Sequence, residues 1–107
     1  MKPMEPTKYP GIVNRLRQKI LKLDQLIHQI SEAVIAAMAD IDRQVAKDPK
    51  LRNEAQRSRR RAQLMNSDRG YLDAVGDLRR ALKAQAELEM ELDVVISQLE
   101  TDQGQVA

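Results

Sequence analysis

The sequence predicts an all-α protein: an antiparallel, coiled-coil-like helical hairpin made of two long helices and a shorter connecting helix. Charged residues make up 32% of the 107-residue chain, and glycine and proline number only four each. Such a composition is typical of long helices and coiled coils. Apolar residues recur at alternating steps of three and four, which places them on one helix face. Phe and Trp are absent, so the predicted core is aliphatic.

The first predicted helix covers residues 11–46 and follows an N-terminal arm of residues 1–10. Prolines in the arm disfavour helix interiors, which predicts a flexible or extended segment. The helix carries a heptad seam, defined here as the apolar residues at the a and d positions of successive heptads. The residues of this seam are Val13, Leu16, Ile20, Leu23, Ile27, Ile30, Val34, Ala37 and Ile41. Further apolar residues flank the seam, and one partner helix would not cover so wide a stripe.

A proline-containing turn is predicted to end the first helix. The residue before Pro49 disfavours the α conformation, so residues 47–50 are interpreted as a turn. The shorter connecting helix is then predicted over residues 51–66.

Turn-forming residues predict a break before the third helix. Asn, Ser, Asp and Gly favour caps and turns, and Ser67 or Asp68 would cap a helix over residues 69–100. One continuous helix over residues 51–100 is the alternative. The resumed seam contains Tyr71, Ala74, Leu78, Ala81, Leu88, Leu92, Val95 and Leu99. Residues 11–100 thus form one predicted domain, and the tail, 101–107, is predicted to fray.

The distribution of charge predicts the direction of the helices. Net charges are +2, +5 and −5 for residues 1–46, 47–66 and 67–107. The start of the first helix is basic and the end of the third is acidic, and an antiparallel hairpin places these ends side by side. Since a small hairpin leaves much of its apolar stripe in water, we expect a homodimer that forms a four-helix bundle, or a higher assembly. A parallel contact between two copies of the first helix remains open.

The arginine-rich connecting helix is the strongest local feature. Its candidate contact residues are Arg52, Arg57, Arg59, Arg60 and Arg61. Arginine is well suited to phosphate recognition, so the cluster is consistent with sequence-independent contact to a nucleic-acid backbone. The alternatives are a solvated helix face, pairing with acidic groups of a neighbouring chain, or another acidic partner.

The sequence does not predict a catalytic centre. His28 has no nucleophile or base set around it, and Asp24 and Glu32 are its helical neighbours at i−4 and i+4. We favour the interpretation that these three residues form a solvated polar face. A metal site on them is the alternative. No cofactor or small-molecule substrate is expected. The chain has no cysteine, and no apolar run reaches the roughly 18 residues of a membrane span. A cytoplasmic protein that does not enter the membrane is therefore expected.

Two short motifs carry a family resemblance. Residues 51–57 read Leu, basic, Asn, acidic, small, Gln, Arg, and residues 67–71 form an acidic turn that leads into Tyr71. Residues 48–96 resemble small helical open reading frames of phage and mobile-element recombination modules. The resemblance implies a setting in DNA recombination or replication, and the family itself has no established activity. Our leading hypothesis is a non-enzymatic oligomeric accessory or adaptor of such a module, which binds a protein partner or a DNA backbone. A purely structural helical bundle and a direct nucleic-acid-binding protein are the alternatives.

Overall fold

The computed structural model describes residues 9–105, and it describes side chains as far as Asp102. This part of the chain forms three helices: α1 (Tyr9–Lys47), α2 (Glu54–Ser67) and α3 (Arg69–Gln105). No strand occurs within it, which confirms the all-α class with two long helices and a shorter one between them. None of its helices has an apolar run sufficient to cross a membrane.

The ends of the two long helices extend beyond their predicted bounds. α1 includes Tyr9 and Pro10, while residues 1–8 of the predicted arm lie outside the described residues. Pro10 is tolerated because the N–H groups of the first helical turn have no intrahelical acceptor. At the other end, α3 continues to Gln105, five residues past its predicted end, and residues 106–107 of the predicted tail lie outside the described residues. The sequence prediction therefore placed Tyr9 in an arm although it is the first residue described in α1.

Tyr9 links the start of α1 to the end of α3. Its side chain is only 2% exposed, and its hydroxyl donates a hydrogen bond of 2.6 Å to Oδ2 of Asp102. This hydrogen bond, together with burial, raises the pKa of Tyr9 above its ordinary value of 10.0. The buried ring and the paired carboxylate explain why helical structure extends to both ends.

The chain divides into two compact units. Among the described residues, the first unit consists of residues 9–26 and 81–105, and the second consists of residues 27–80. In the first unit, Asp102 pairs with Tyr9 and Gln85 donates to the carboxylate of Asp24. Later residues of α1 therefore contact earlier residues of α3, so the two segments run antiparallel. Its core contains Tyr9, Val13, Leu16 and Val95, packed by Ile12, Leu88, Leu92, Ile96 and Leu99.

The second unit has its own small core on the last part of α1. Ile41 is completely buried and Val45 is 7% exposed. After α1 ends at Lys47, the backbone N–H of Lys50 donates to Oδ1 of Asp48 at 2.9 Å. The side chain of Asp48 thus stabilises a turn after the end of α1. Pro49 is accommodated there because its missing N–H is not needed for a helical hydrogen bond.

Burial separates the predicted seams from the apolar residues beside them. Every seam residue of α1 and α3 is buried or half-buried. Several flanking or outward-facing apolar residues, in contrast, remain exposed to solvent. These are Leu21, Leu26, Ile35, Leu72, Leu82, Met90 and Val94. The heptad spacing therefore matches the direction in which each described helix packs.

The predicted break between α2 and α3 is confirmed and occurs at Asp68. This residue has an extended backbone (φ −71°, ψ 116°) and donates its N–H to the carbonyl of Leu64. Its Oδ1 accepts a hydrogen bond of 2.8 Å from the N–H of Tyr71. Gly70 lies within α3 and does not have a positive φ. The carboxylate cap, rather than glycine flexibility, therefore separates the two helices.

Replacing Asp68 with alanine is expected to lower the free energy of unfolding by about 1 kcal/mol, since α3 would lose its N-terminal cap. Asp68→Asn retains an acceptor oxygen and should change stability by only a few tenths of that amount. Urea denaturation followed by helical circular dichroism would measure both variants. Equal losses for the two variants would contradict a capping role for the side chain.

Candidate interface for an acidic ligand

The start of α2 is set by a reciprocal pair of polar side chains. Oδ1 of Asn53 accepts a hydrogen bond of 2.9 Å from the N–H of Gln56. The side chain of Gln56 reaches back and accepts from the N–H of Arg52 at 2.7 Å. This arrangement resembles a capping box. It starts α2 at Glu54, three residues after the predicted start, so Arg52 precedes the helix instead of lying on its surface.

Arg57 and Arg61 lie on the side of α2 that faces α1. Nε of Arg61 is 2.8 Å from Oδ1 of Asp42 on α1, and Nε of Arg57 is 3.4 Å from Oε2 of Glu54. Both arginines line a groove that also contains Val45 of α1. Each of these two arginines therefore has a carboxylate partner, and other residues of the second unit cover part of both side chains.

Arg59 and Arg60 lie on a different face of α2. Nε of Arg59 donates to the carbonyl of Ala55 at 3.5 Å, and Nη1 of Arg60 donates to Oε1 of Gln63 at 3.4 Å. Both arginines are exposed. Among the side chains described, through residue 102, neither has a carboxylate within the 4.0 Å of an ion pair.

A shallow groove of about 310 Å³ runs beside Arg59 and Arg60. Its lining contains three cationic side chains and no carboxylate. The lining residues are Lys50, Leu51, Gln56, Arg59, Arg60 and Gln63. We call Lys50, Arg59 and Arg60 the basic face. This groove has the composition of a site for an anionic ligand, because every ionised group in its lining is a cation.

Helix geometry explains why the arginine cluster divides. Successive residues of an α-helix are rotated by about 100°, so residues four apart share a face and residues two apart do not. Arg57 and Arg61 consequently face α1 together, and Arg59 points away from them. Arg60 lies between Arg59 and Arg57 around the helix, and its side chain lines the groove beside Arg59. The sequence prediction treated all five arginines as one contact surface, and the structure brings only two of them to the basic face.

The chain matches no protein-family model, no curated protein and no solved structure. The resemblance to mobile-element reading frames therefore depends on the two short motifs alone. In the first motif, Asn53 and Gln56 cap α2. In the second, Asp68 caps α3. Helix capping accounts for these three positions, and a role in recombination stays a prediction.

The residues around His28 do not converge on a common point. Nε2 of His28 is 3.4 Å from Oε1 of Glu32, and both side chains are largely exposed. The carboxylate of Asp24 instead accepts from Gln85. Within the described residues, no group of three or more His, Cys, Asp or Glu side chains is placed to hold a metal ion. The solvated polar face is thus the description that fits the observed contacts.

Two sets of opposite charge lie in the first unit and stay exposed there. The basic set on α1 is Arg15, Arg17, Lys19 and Lys22. The acidic set on α3 is Glu87, Glu89, Glu91, Asp93 and Glu100. No ion pair within 4.0 Å joins the two sets in the described part of the chain. The sequence predicts that these two sets lie side by side, but the described side chains of one copy form no direct ion pair between them.

Proposed function

We propose that this protein is a non-enzymatic helical adaptor that works as a homodimer, in which the first units of two copies pack into a four-helix bundle. The observation that carries the proposal is the set of large apolar side chains left exposed in the first unit. We call this set the assembly surface. It consists of Leu21, Leu26, Leu82, Met90 and Val94.

The assembly surface is too broad for a single hairpin to cover. On α1, Leu21 directly follows the seam residue Ile20, and Leu26 directly precedes the seam residue Ile27. A rotation of about 100° in each direction places these leucines on opposite flanks of the seam. Complete burial of such a side chain contributes roughly 1.5–3 kcal/mol. Further helices packed beside the hairpin would bury both flanks.

Charge complementarity favours a second copy of this chain as the occupant. Each copy offers an exposed basic set on α1 and an exposed acidic set on α3, and the described residues show no direct ion pair between the two sets. In a two-fold symmetric dimer, the basic set of one copy would meet the acidic set of the other, and the same contact would form twice. Exposed ion pairs contribute little stability each, but they select the orientation in which helices pair.

The dimer would present α2 as a polar surface for other molecules. The resemblance of residues 48–96 to mobile-element reading frames supports a partner from a DNA-processing module, in the cytoplasm. The second candidate is a purely structural bundle, in which the arginines of α2 only pair with carboxylates of the protein itself. Arg57 and Arg61 form such pairs, whereas the exposed Arg59 and Arg60 keep their charge available to a partner, which supports the adaptor.

Thermal unfolding at several protein concentrations tests whether the folded state is a dimer. Mass action stabilises a dimer as its concentration rises, so a hundredfold increase should raise the Tm by roughly 5–10 °C for two chains of this size. Circular dichroism at 222 nm, recorded from about 1 to 100 μM at fixed ionic strength, would measure the effect. A Tm that is independent of concentration would argue against the dimer.

A further inference from the structure

The geometry of α2 points to a nucleic-acid binding site on the basic face, where Lys50, Arg59 and Arg60 would bind the sugar–phosphate backbone. This inference does not require the dimer, because all three residues belong to the second unit of one chain. It assigns different roles to arginines that are neighbours in the sequence. Arg59 and Arg60 would contact the ligand, whereas Arg61 would join α2 to α1 through Asp42 and Arg57 would pair with Glu54 within α2.

The electrostatics of α2 favour a polyanion over an isolated anion. Residues 47–66 carry a net charge of +5, compared with +2 for residues 1–46 and −5 for residues 67–107. After Glu54 pairs with Arg57, and Asp42 pairs with Arg61, the lining of the groove still contains three cations and no anion. A row of phosphates can satisfy all three cations at once, and binding would release the counterions that surround the nucleic acid.

The surface around the basic face favours a nucleic acid over an acidic protein. Protein interfaces are usually organised around buried apolar or aromatic anchors. α2 exposes no large apolar side chain, and those of this kind in the described residues lie on α1 and α3. Arginine, lysine and glutamine side chains are instead the donors that contact phosphate and sugar oxygens.

The site should bind without reading base sequence. Single-strand recognition usually needs aromatic platforms on which bases stack. The chain has two tyrosines: Tyr9 is buried in the first unit and Tyr71 is half-buried on α3. Since neither lies on α2, we expect contacts to the backbone alone, with similar affinity for different sequences of equal length and strandedness.

Fluorescence anisotropy of the full-length protein with labelled 30-nucleotide single- and double-stranded DNA, across 25–300 mM NaCl, would test the site. The native protein should lose affinity steeply with salt. Arg59→Ala with Arg60→Ala should weaken binding at 50 mM NaCl by about tenfold or more, and make the log–log salt slope shallower by about 2 per bound chain. Unchanged binding by this variant would overturn the proposal, as would a native protein that binds no DNA at 50 mM NaCl.

Arg57→Ala with Arg61→Ala is the matched control, since it removes the same charge from the same helix. Its salt slope should stay close to that of the native protein. Arg69→Ala with Arg79→Ala, at exposed positions of α3 outside the basic face and the basic set, serves the same purpose if the first control does not fold. Equal reductions of the slope for all the folded variants would show that net charge alone drives binding. Poly-glutamate that competes as well as DNA at equal charge concentration would identify an acidic polypeptide as the ligand. Either result would contradict the assignment.

Discussion

Replacing Ile41 with alanine is expected to lower the free energy of unfolding by about 2–4 kcal/mol. Ile41 is fully buried, so the substitution removes apolar contacts and leaves a cavity that the surrounding helices can fill only in part. The total stability of a domain of this size is roughly 5–15 kcal/mol. The loss would therefore be a large fraction of the whole, and chemical denaturation followed by circular dichroism would measure it.

Ile35→Ala is the matched control for Ile41→Ala. It makes the same chemical change on the same helix, but the side chain of Ile35 is 66% exposed. Alanine also has the higher helix propensity, so the expected change is within about 0.5 kcal/mol. Similar losses for both variants would mean that Ile41 does not occupy a core position, and that the assignment of the seam in the second unit is incorrect.

The helices and their buried faces could be predicted from the sequence because the pattern is long and local. The alternating steps of three and four persist over several turns, and their period alone fixes which side of each helix faces inward. Residues such as Leu16 and Val95 are accordingly buried where the pattern places them. Pro49 and Asp68 act through local backbone geometry, so the turn after α1 and the break between α2 and α3 could also be predicted from the sequence.

The first residues of α1 could not be predicted from local rules. The prolines indicated an arm, but the position of Tyr9 depends on a partner 93 residues away in the sequence. A contact between residues so distant in sequence leaves no periodic signal. One signal that was available is the tolerance of the first helical turn for proline, which would have allowed Pro10 to be included in α1.

The division of the arginine cluster depends on information that composition does not contain. Helical spacing separates Arg59 from Arg57 and Arg61, but it places Arg60 between Arg59 and Arg57 around the helix. Which pair faces inward depends on Asp42, which belongs to another helix. The motif of residues 51–57 illustrates the same difficulty, because Asn53 and Gln56 cap α2. A motif interpreted by family resemblance can thus have a purely local structural role.

Leu21→Glu combined with Leu82→Glu is expected to convert the dimer to monomers. These side chains are 58% and 47% exposed in one copy, so the packing of the helices within one copy does not depend on their burial. Carboxylates placed in a dimer interface would instead lose their hydration without gaining partners. We expect the dissociation constant to rise by at least about a hundredfold, which corresponds to roughly 2.7 kcal/mol. Sedimentation velocity would measure this rise.

Ile35→Glu with Leu72→Glu is the matched control for the apolar pair. It makes the same kind of change at exposed apolar positions on the same two helices, but in the second unit, outside the assembly surface. This variant should remain as dimeric as the native protein. Dissociation of both variants to the same extent would show that added negative charge, and not loss of apolar contact, separates the copies.

The mass of the native protein in solution tests the central claim most directly. One chain has a mass of 12.2 kDa, and the exposed apolar side chains of the first unit predict that two copies associate. Sedimentation equilibrium from about 1 to 100 μM at 150 mM salt should therefore give twice the mass of one chain at the upper concentrations. A mass of one chain throughout that range would contradict both the dimer and the four-helix bundle.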